Sequence, residues 1–433
     1  MKPNASIDSA KPEPMAPHSA SELSDGTTRA GEDLGLGRAN AILRTRREAL
    51  QLMGLAGAAG CAWINGVAAE RKDSKSSDTS ADALDEAYRL LQSDEPRSRR
   101  GLSTHAPMVV EAMCALGQCE RAVRWVEDHR APLRALPRAS VRIDPAQWRA
   151  ALGPTPGATG WEAINSRWGD WREFFLAELS ERPWREVLDV WVARLAPGMS
   201  GAATHGVIRT AHAVRALAAR ENSLRRAELA RGLAYWASSY EELPARQRTG
   251  PQFQTFARAL AEVPLYWEAF GRRPDGGIIV EVLRGVRELD RFADVRDLIA
   301  QPADLSVALS ALTATFSRVY LRHGTKRDAI AFVHAVTGPC SLRRLAPHIK
   351  PETARAALPY AWQAAAAIYS AYARPNEPVQ EPEAKLGRTE LIARALDNSD
   401  EHAIKFTEVM LAEHELNPDP VYFAAAEDAI KRL

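Results

Sequence analysis

The chemistry this sequence can offer is concentrated in four histidines and a lysine. His105 follows Ser103-Thr104 and precedes Pro107 in an apolar run, and His205 opens the stretch Thr204-His205-Gly206-Val207-Ile208. His334 stands among Phe332, Val333, Ala335 and Val336. His402 and Lys405 are three apart, so they share a face of any helix formed there. Imidazole nitrogen is a ligand for iron, zinc, copper or nickel. Taken singly, each histidine reads as a structural residue and Lys405 as a solvated side chain, because an unpaired lysine charge is costly to bury. Taken together on helices of one domain, the four histidines are a candidate metal centre, since bundles build such centres from facing helices.

Other chemistries find little support. There is no Gly-x-Gly-x-x-Gly after a strand and no phosphate-cradling Gly-x4-Gly-Lys-Ser/Thr loop, so no nucleotide domain of an obvious kind. A Gly-x-Ser-x-Gly elbow, a His-Glu-x-x-His helix and a His-Asp doublet are also missing. Lys plus Arg number 56 against 55 Asp plus Glu, a net charge of +1, which implies no bulk attraction to nucleic acid or an anionic membrane. Cys61, Cys114, Cys119 and Cys340 form no Cys-x-x-Cys pair and suggest neither zinc nor a disulfide framework. Cys114 and Cys119 stand five apart on one expected helix, a poor geometry for a bridge.

The elements that must position the histidines are helical. The chain has 433 residues, 46% hydrophobic and 26% charged, rich in Ala and Leu and poor in alternating runs. The expected fold is all-α, a multi-helix globular bundle with a disordered N-terminal region. Residues 1–44 read as a disordered extension. Residues 45–69 place Arg46-Arg47 before an uncharged apolar stretch that closes on Val67-Ala68-Ala69, the pattern of a twin-arginine export signal. The stretch is too short and small-residued for a comfortable membrane span. A periplasmic or extracellular location is expected, with the cytoplasm as the alternative. Residues 70–81 read as a linker and 82–433 as the all-α domain.

Within that domain, Pro107 suits the first turn of a helix that stops at Gly117. Residues 130–160 form a long Pro- and Gly-rich connection, Pro183 divides two aromatic-rich helices, and Asp304 caps a long apolar one. The helix at 352–373 is expected to kink at Pro359. Its Tyr360, Trp362 and Tyr369 could pack a planar ring, with core packing as the plain alternative.

In their order and spacing, Ser103-Thr104-His105, Thr204-His205-Gly206-Val207-Ile208, Phe332-Val333-His334-Ala335 and Glu401-His402-Ala403-Ile404-Lys405-Phe406 resemble the questin oxidase family, known from fungal polyketide pathways and from bacteria. The resemblance spans residues 82–433. It implies an O2-dependent oxidoreductase that opens a ring of an anthraquinone or related aromatic polyketide, by a Baeyer–Villiger-like or a dioxygenase reaction. It implies non-haem Fe(2+), no flavin, and NADPH as a candidate reductant. The partners would be O2 and a small aromatic substrate, with no nucleic acid and no stable membrane insertion apart from the signal. The implied metal ligands are His105, His205, His334, His402 and Lys405, the lysine as a carbamate formed when a neutral amine takes up carbon dioxide. This chain departs from the family pattern at Arg209 and His212. His212 is therefore not expected among the ligands, and Arg209 is expected to act catalytically by stabilising a phenolate. Two other classes stay open: a non-catalytic helical binding or scaffold protein, and a metal-dependent hydrolase, which histidines with a carboxylated lysine also serve.

Overall fold

Ala-, Leu- and Arg-rich segments with apolar faces fold as helices along the chain. In a computed structural model, the described residues are 74–433 apart from 93, 99–102, 130–132, 136–137, 159–165, 379–382 and 399. The expected disordered extension and twin-arginine signal lie outside them. The helices are α1 Ser74–Leu91, α2 Ala106–Ala115, α3 Ala122–His129, α4 Trp168–Glu181, α5 Trp184–Leu195, α6 His205–Ala219, α7 Ser223–Ser238 and α8 Phe256–Leu260. They continue as α9 Tyr266–Phe270, α10 Ile279–Arg284, α11 Leu305–His323, α12 Ala329–Leu345, α13 Pro351–Tyr372, α14 Arg388–Asp397, α15 Glu401–Leu416 and α16 Pro420–Arg432. The strands among the described residues are one antiparallel ribbon, β1 Asp94–Ser98 with β2 Leu133–Ala135. The chain is thus the expected all-α bundle. Helix α1 begins at Ser74, inside the stretch expected to be a linker.

Local signals fix many boundaries. Pro107 lies in the first turn of α2, Pro183 separates α4 from α5, and Asp304 accepts from the N–H groups of Ser306 and Val307. Pro359 does not end its helix: α13 is one element from Pro351 to Tyr372, and α12 likewise continues through Pro339. These two helices pack along each other, and that burial outweighs a proline's cost of ~3 kcal/mol in a helix interior.

Cys114 and Cys119 are bridged, against expectation, with Cα atoms 3.9 Å apart. They do not share a helix. Helix α2 ends at Ala115, Gly117 takes a φ of 77°, and Gln118 N–H donates back to Met113 O, which returns the chain to Cys114.

Four helices form a closed ring: α2 packs on α6, α6 on α12, α12 on α15, and α15 on α2. Around them, α7 covers α6, α13 and α11 cover α12, and α16 covers α15. The α6–α7 approach is close because Gly206 meets the backbone of Trp236, where a Cβ would lie 2.4 Å from Trp236 Cα.

Candidate metal centre

Each helix of the ring delivers one histidine from its N-terminal end. His105 is the N-cap of α2, His205 the first residue of α6, His402 the second of α15, and His334 lies in the second turn of α12. All four are buried, and their ligand nitrogens lie within 4.8 Å of one another. Nε2 of His205 is 2.7 Å from Nε2 of His105 and 3.2 Å from Nε2 of His334.

Three of the four outward nitrogens are held by acceptors. Nδ1 of His205 is 2.6 Å from Ala202 O, Nδ1 of His334 is 2.7 Å from Ile330 O, and Nδ1 of His402 is 2.7 Å from Asp400 Oδ1. Glu401 Oε2 lies 2.7 Å from Nδ1 of His105, within ion-pair distance but off the axis of its N–H. A carbonyl oxygen only accepts, so His205 and His334 carry their proton on Nδ1 and present a lone pair at Nε2. Two such lone pairs, 3.2 Å apart, repel unless a cation lies between them. A proton is disfavoured: burial first, then the Lys405 charge, hold His105, His205 and His402 below the usual imidazole pKa, and burial and then His205 do so for His334. A metal ion fits this donor set, because two imidazoles bound side by side on one ion at ~2.1 Å stand about 3 Å apart.

Lys405 is 3% exposed, not solvated, and burial draws its pKa down to about 8 against the opposing charges of Glu401 and Asp400. The Asp400 side chain also caps α15 by accepting from His402 N–H, so one carboxylate starts the helix and orients the histidine ring.

His205 is aimed by a strained turn. Ala202, Ala203 and Thr204 have φ of 48°, 52° and 66°, a left-handed run without glycine. Such a conformation costs ~1–2 kcal/mol per L-residue. It persists because Thr204 packs on Gly338 of α12, where a Cβ would lie 2.8 Å from the threonine side chain, and because Ala202 O takes the His205 N–H. Ala203→Gly is expected to raise stability by about 0.5–1 kcal/mol in urea unfolding; an unchanged midpoint would count against strain at this turn.

A second buried cluster joins the same four helices further along. Glu111 of α2 accepts from Arg215 of α6 at 2.6 Å and sits 2.5 Å from His212 Nδ1. His212 Nε2 is 3.0 Å from Arg344 of α12. Glu408 of α15 accepts from both Arg215 and Arg344. The ring is therefore fastened at two levels, histidines at the helix starts and ion pairs beyond them. His212, not expected among the ligands, lies in this second level.

Above the histidines opens a cavity of about 590 Å³, within the usual range of small-molecule sites. Its walls include Ala203, Ile278, Ile279, Ile330, Tyr235 and Tyr372, and Arg273 and Arg327 also line it. Arg209 does not line it, contrary to expectation. Arg209 is 1% exposed and makes a two-pronged pair with Glu228 at 2.7 and 3.0 Å. One turn beyond His205, that face of α6 has left the cavity for the α6–α7 interface, where Arg209 fastens the two helices. Tyr360, Trp362 and Tyr369 are likewise not wall residues, and Trp362 donates to Val295 O at 2.8 Å in the core. Tyr235, Tyr372, Arg273 and Arg327 carry no sequence signal, since their place at the cavity depends on how α7, α13 and the loops before α10 and α12 pack.

Two histidines outside the cluster set an acid limit. His212 and His323 are held down to about 4, burial being the main cause. Both are neutral when folded and protonate on unfolding below about 6.5. The unfolded chain then binds more protons, so stability is lost as pH falls from about 6.5 to 4, on the order of 3 kcal/mol per histidine. Metal-free protein is expected to show a falling Tm across that window, and His323→Gln to flatten the fall; a Tm independent of pH would contradict it.

Compared with known proteins, the chain matches no family model and no curated protein.

Proposed function

We propose that this chain is a non-haem iron oxygenase of the questin oxidase type, which uses O2 to open a ring of an anthraquinone or related aromatic polyketide. The observation that carries the reading is the set of four neutral imidazoles, one from each helix of the ring, facing one point on the floor of an apolar cavity. Iron(II), when bound, supplies the electron exchange with O2 that side chains lack. His105, His205, His334 and His402 would hold it. Asp400, Ala202 O and Ile330 O fix the ring orientations. The apolar walls keep water from the reacting carbon and give a flat ring its contact area. In the monooxygenase form one oxygen atom enters the ring and the other leaves as water, with two electrons from NADPH; in the dioxygenase form both atoms enter the product.

Lys405 would supply the anionic ligand. An amine with a pKa of about 8 is roughly one-tenth neutral at pH 7, far more than an ordinary lysine, so reaction with carbon dioxide is favoured. Export fits the Cys114–Cys119 bridge, because disulfides persist in oxidising compartments. None of the described helices is long and apolar enough to cross a membrane.

The test is metal content and oxygen uptake. Full-length protein loaded anaerobically with iron is expected to retain about one ion per chain and to consume O2 when given an anthraquinone. No retained iron would sink the reading in favour of a non-catalytic helical protein. A buried low-pKa lysine beside histidines serves hydrolytic centres equally well, so turnover of esters or amides with no O2 uptake would support the hydrolase.

A further inference from the structure

We infer that the cavity takes a flat apolar molecule bearing an anionic group, a carboxylate or phenolate, which Arg273 and Arg327 hold while the body of the molecule reaches the histidines. The flat body rests on the proposed function; the anion preference does not depend on any metal.

Among the described residues the cavity lining contains no Asp or Glu, although acids and bases balance over the chain at 55 to 56. Arg273 is half-buried and aimed: Nη1 donates to Asp328 Oδ1 at 3.2 Å, and the guanidinium stands 5.7 Å over the ring of Tyr372, itself a wall residue. That contact engages one of five N–H donors and leaves others for a ligand. Arg327 is exposed, adjoins Asp328 in sequence, and its charge acts on the same Tyr372 hydroxyl as that of Arg273. Two guanidinium groups around one aromatic wall match a planar oxyanion, which the planar fork binds with two parallel hydrogen bonds. Ile278, Ile279 and Ile330 line the same cavity and offer nothing polar from their side chains to the rest of the ligand. Asp328 only partly offsets the arginines, and the helix starts at the floor add positive partial charge. A neutral ligand would leave Arg327 and the Arg273 donors not engaged by Asp328 to solvent and gain only the walls.

The experiment is calorimetric titration of the full chain, metal-free and iron-loaded, with anthraquinone-2-carboxylate and anthraquinone-2-carboxamide. The carboxylate is expected to bind at least about tenfold more tightly than the amide in the metal-free protein. Arg327→Met, at an exposed position, and Arg273→Met should each weaken the carboxylate about three- to tenfold and leave the amide unchanged. Equal affinity for the two probes, or a preference indifferent to both variants, would overturn the inference. So would a preference present only with iron, which would put the carboxylate at the metal, or no binding of either probe up to its solubility limit. Iron content and O2 uptake measured on the same samples keep the two readings apart: lost iron with intact anion preference overturns the oxygenase alone, and the reverse overturns only the role of the arginines.

Discussion

His334→Ala is expected to leave a folded protein that no longer retains iron, the ion content falling from about one per chain to background. The position borders the cavity, so truncation enlarges an existing space rather than emptying a sealed core, and the circular dichroism of the helices should be unchanged. The loss should be large because His205 and His402 are each oriented by an acceptor and cannot move in to replace the missing nitrogen. Lys405 separates the oxygen ligand from a plain buried amine. Lys405→Ala is expected to weaken iron binding or abolish turnover, and Lys405→Arg not to restore either, because a guanidinium does not form a carbamate. Iron affinity unchanged in both Lys405 variants would remove that residue from the ligand set, and iron retained by His334→Ala would remove the centre itself.

Glu408→Gln is expected to cost about 3–5 kcal/mol of stability, because it leaves two arginines facing a neutral amide in a buried site. Glu408 is 3% exposed and accepts from Arg215 and Arg344, which come from two other helices of the ring. The same change should weaken iron binding by about tenfold, through looser spacing of the helices that carry the ligands. The comparison is Asp85→Asn. Asp85 holds Arg225 at 2.6 Å in a buried pair between α1 and α7, outside the ring. It should lower the urea midpoint comparably and leave iron affinity alone. Equal effects of the two changes on iron would show that the ion cluster only stabilises the fold.

Much of this was legible in residue order, for local reasons. Pro107, Pro183 and Asp304 act on the turn they belong to, and each did what its type dictates. Pro359 lies inside one continuous helix, because the packing of α13 on α12 outweighs a local preference. Cys114 and Cys119 are not on one helix, because the helix stops before Gly117, whose left-handed turn makes the bridge possible. Arg209 lies one turn beyond His205 but is paired with Glu228, since helical spacing tells which residues look the same way and not what they look at.

The sequence by itself determined that the chain is helical and that four histidines and a lysine are its unusual residues, because helix periodicity and side-chain chemistry are properties of short segments. Only the tertiary structure decided that the four helix starts meet, that Lys405 is buried among them, that Arg209 belongs to a helix interface, and that Arg273 and Arg327 line the cavity. Those outcomes depend on the closure of the α2, α6, α12 and α15 ring, which brings together residues far apart in the chain, His105 and His205 by 100 positions, by burial that no single segment encodes.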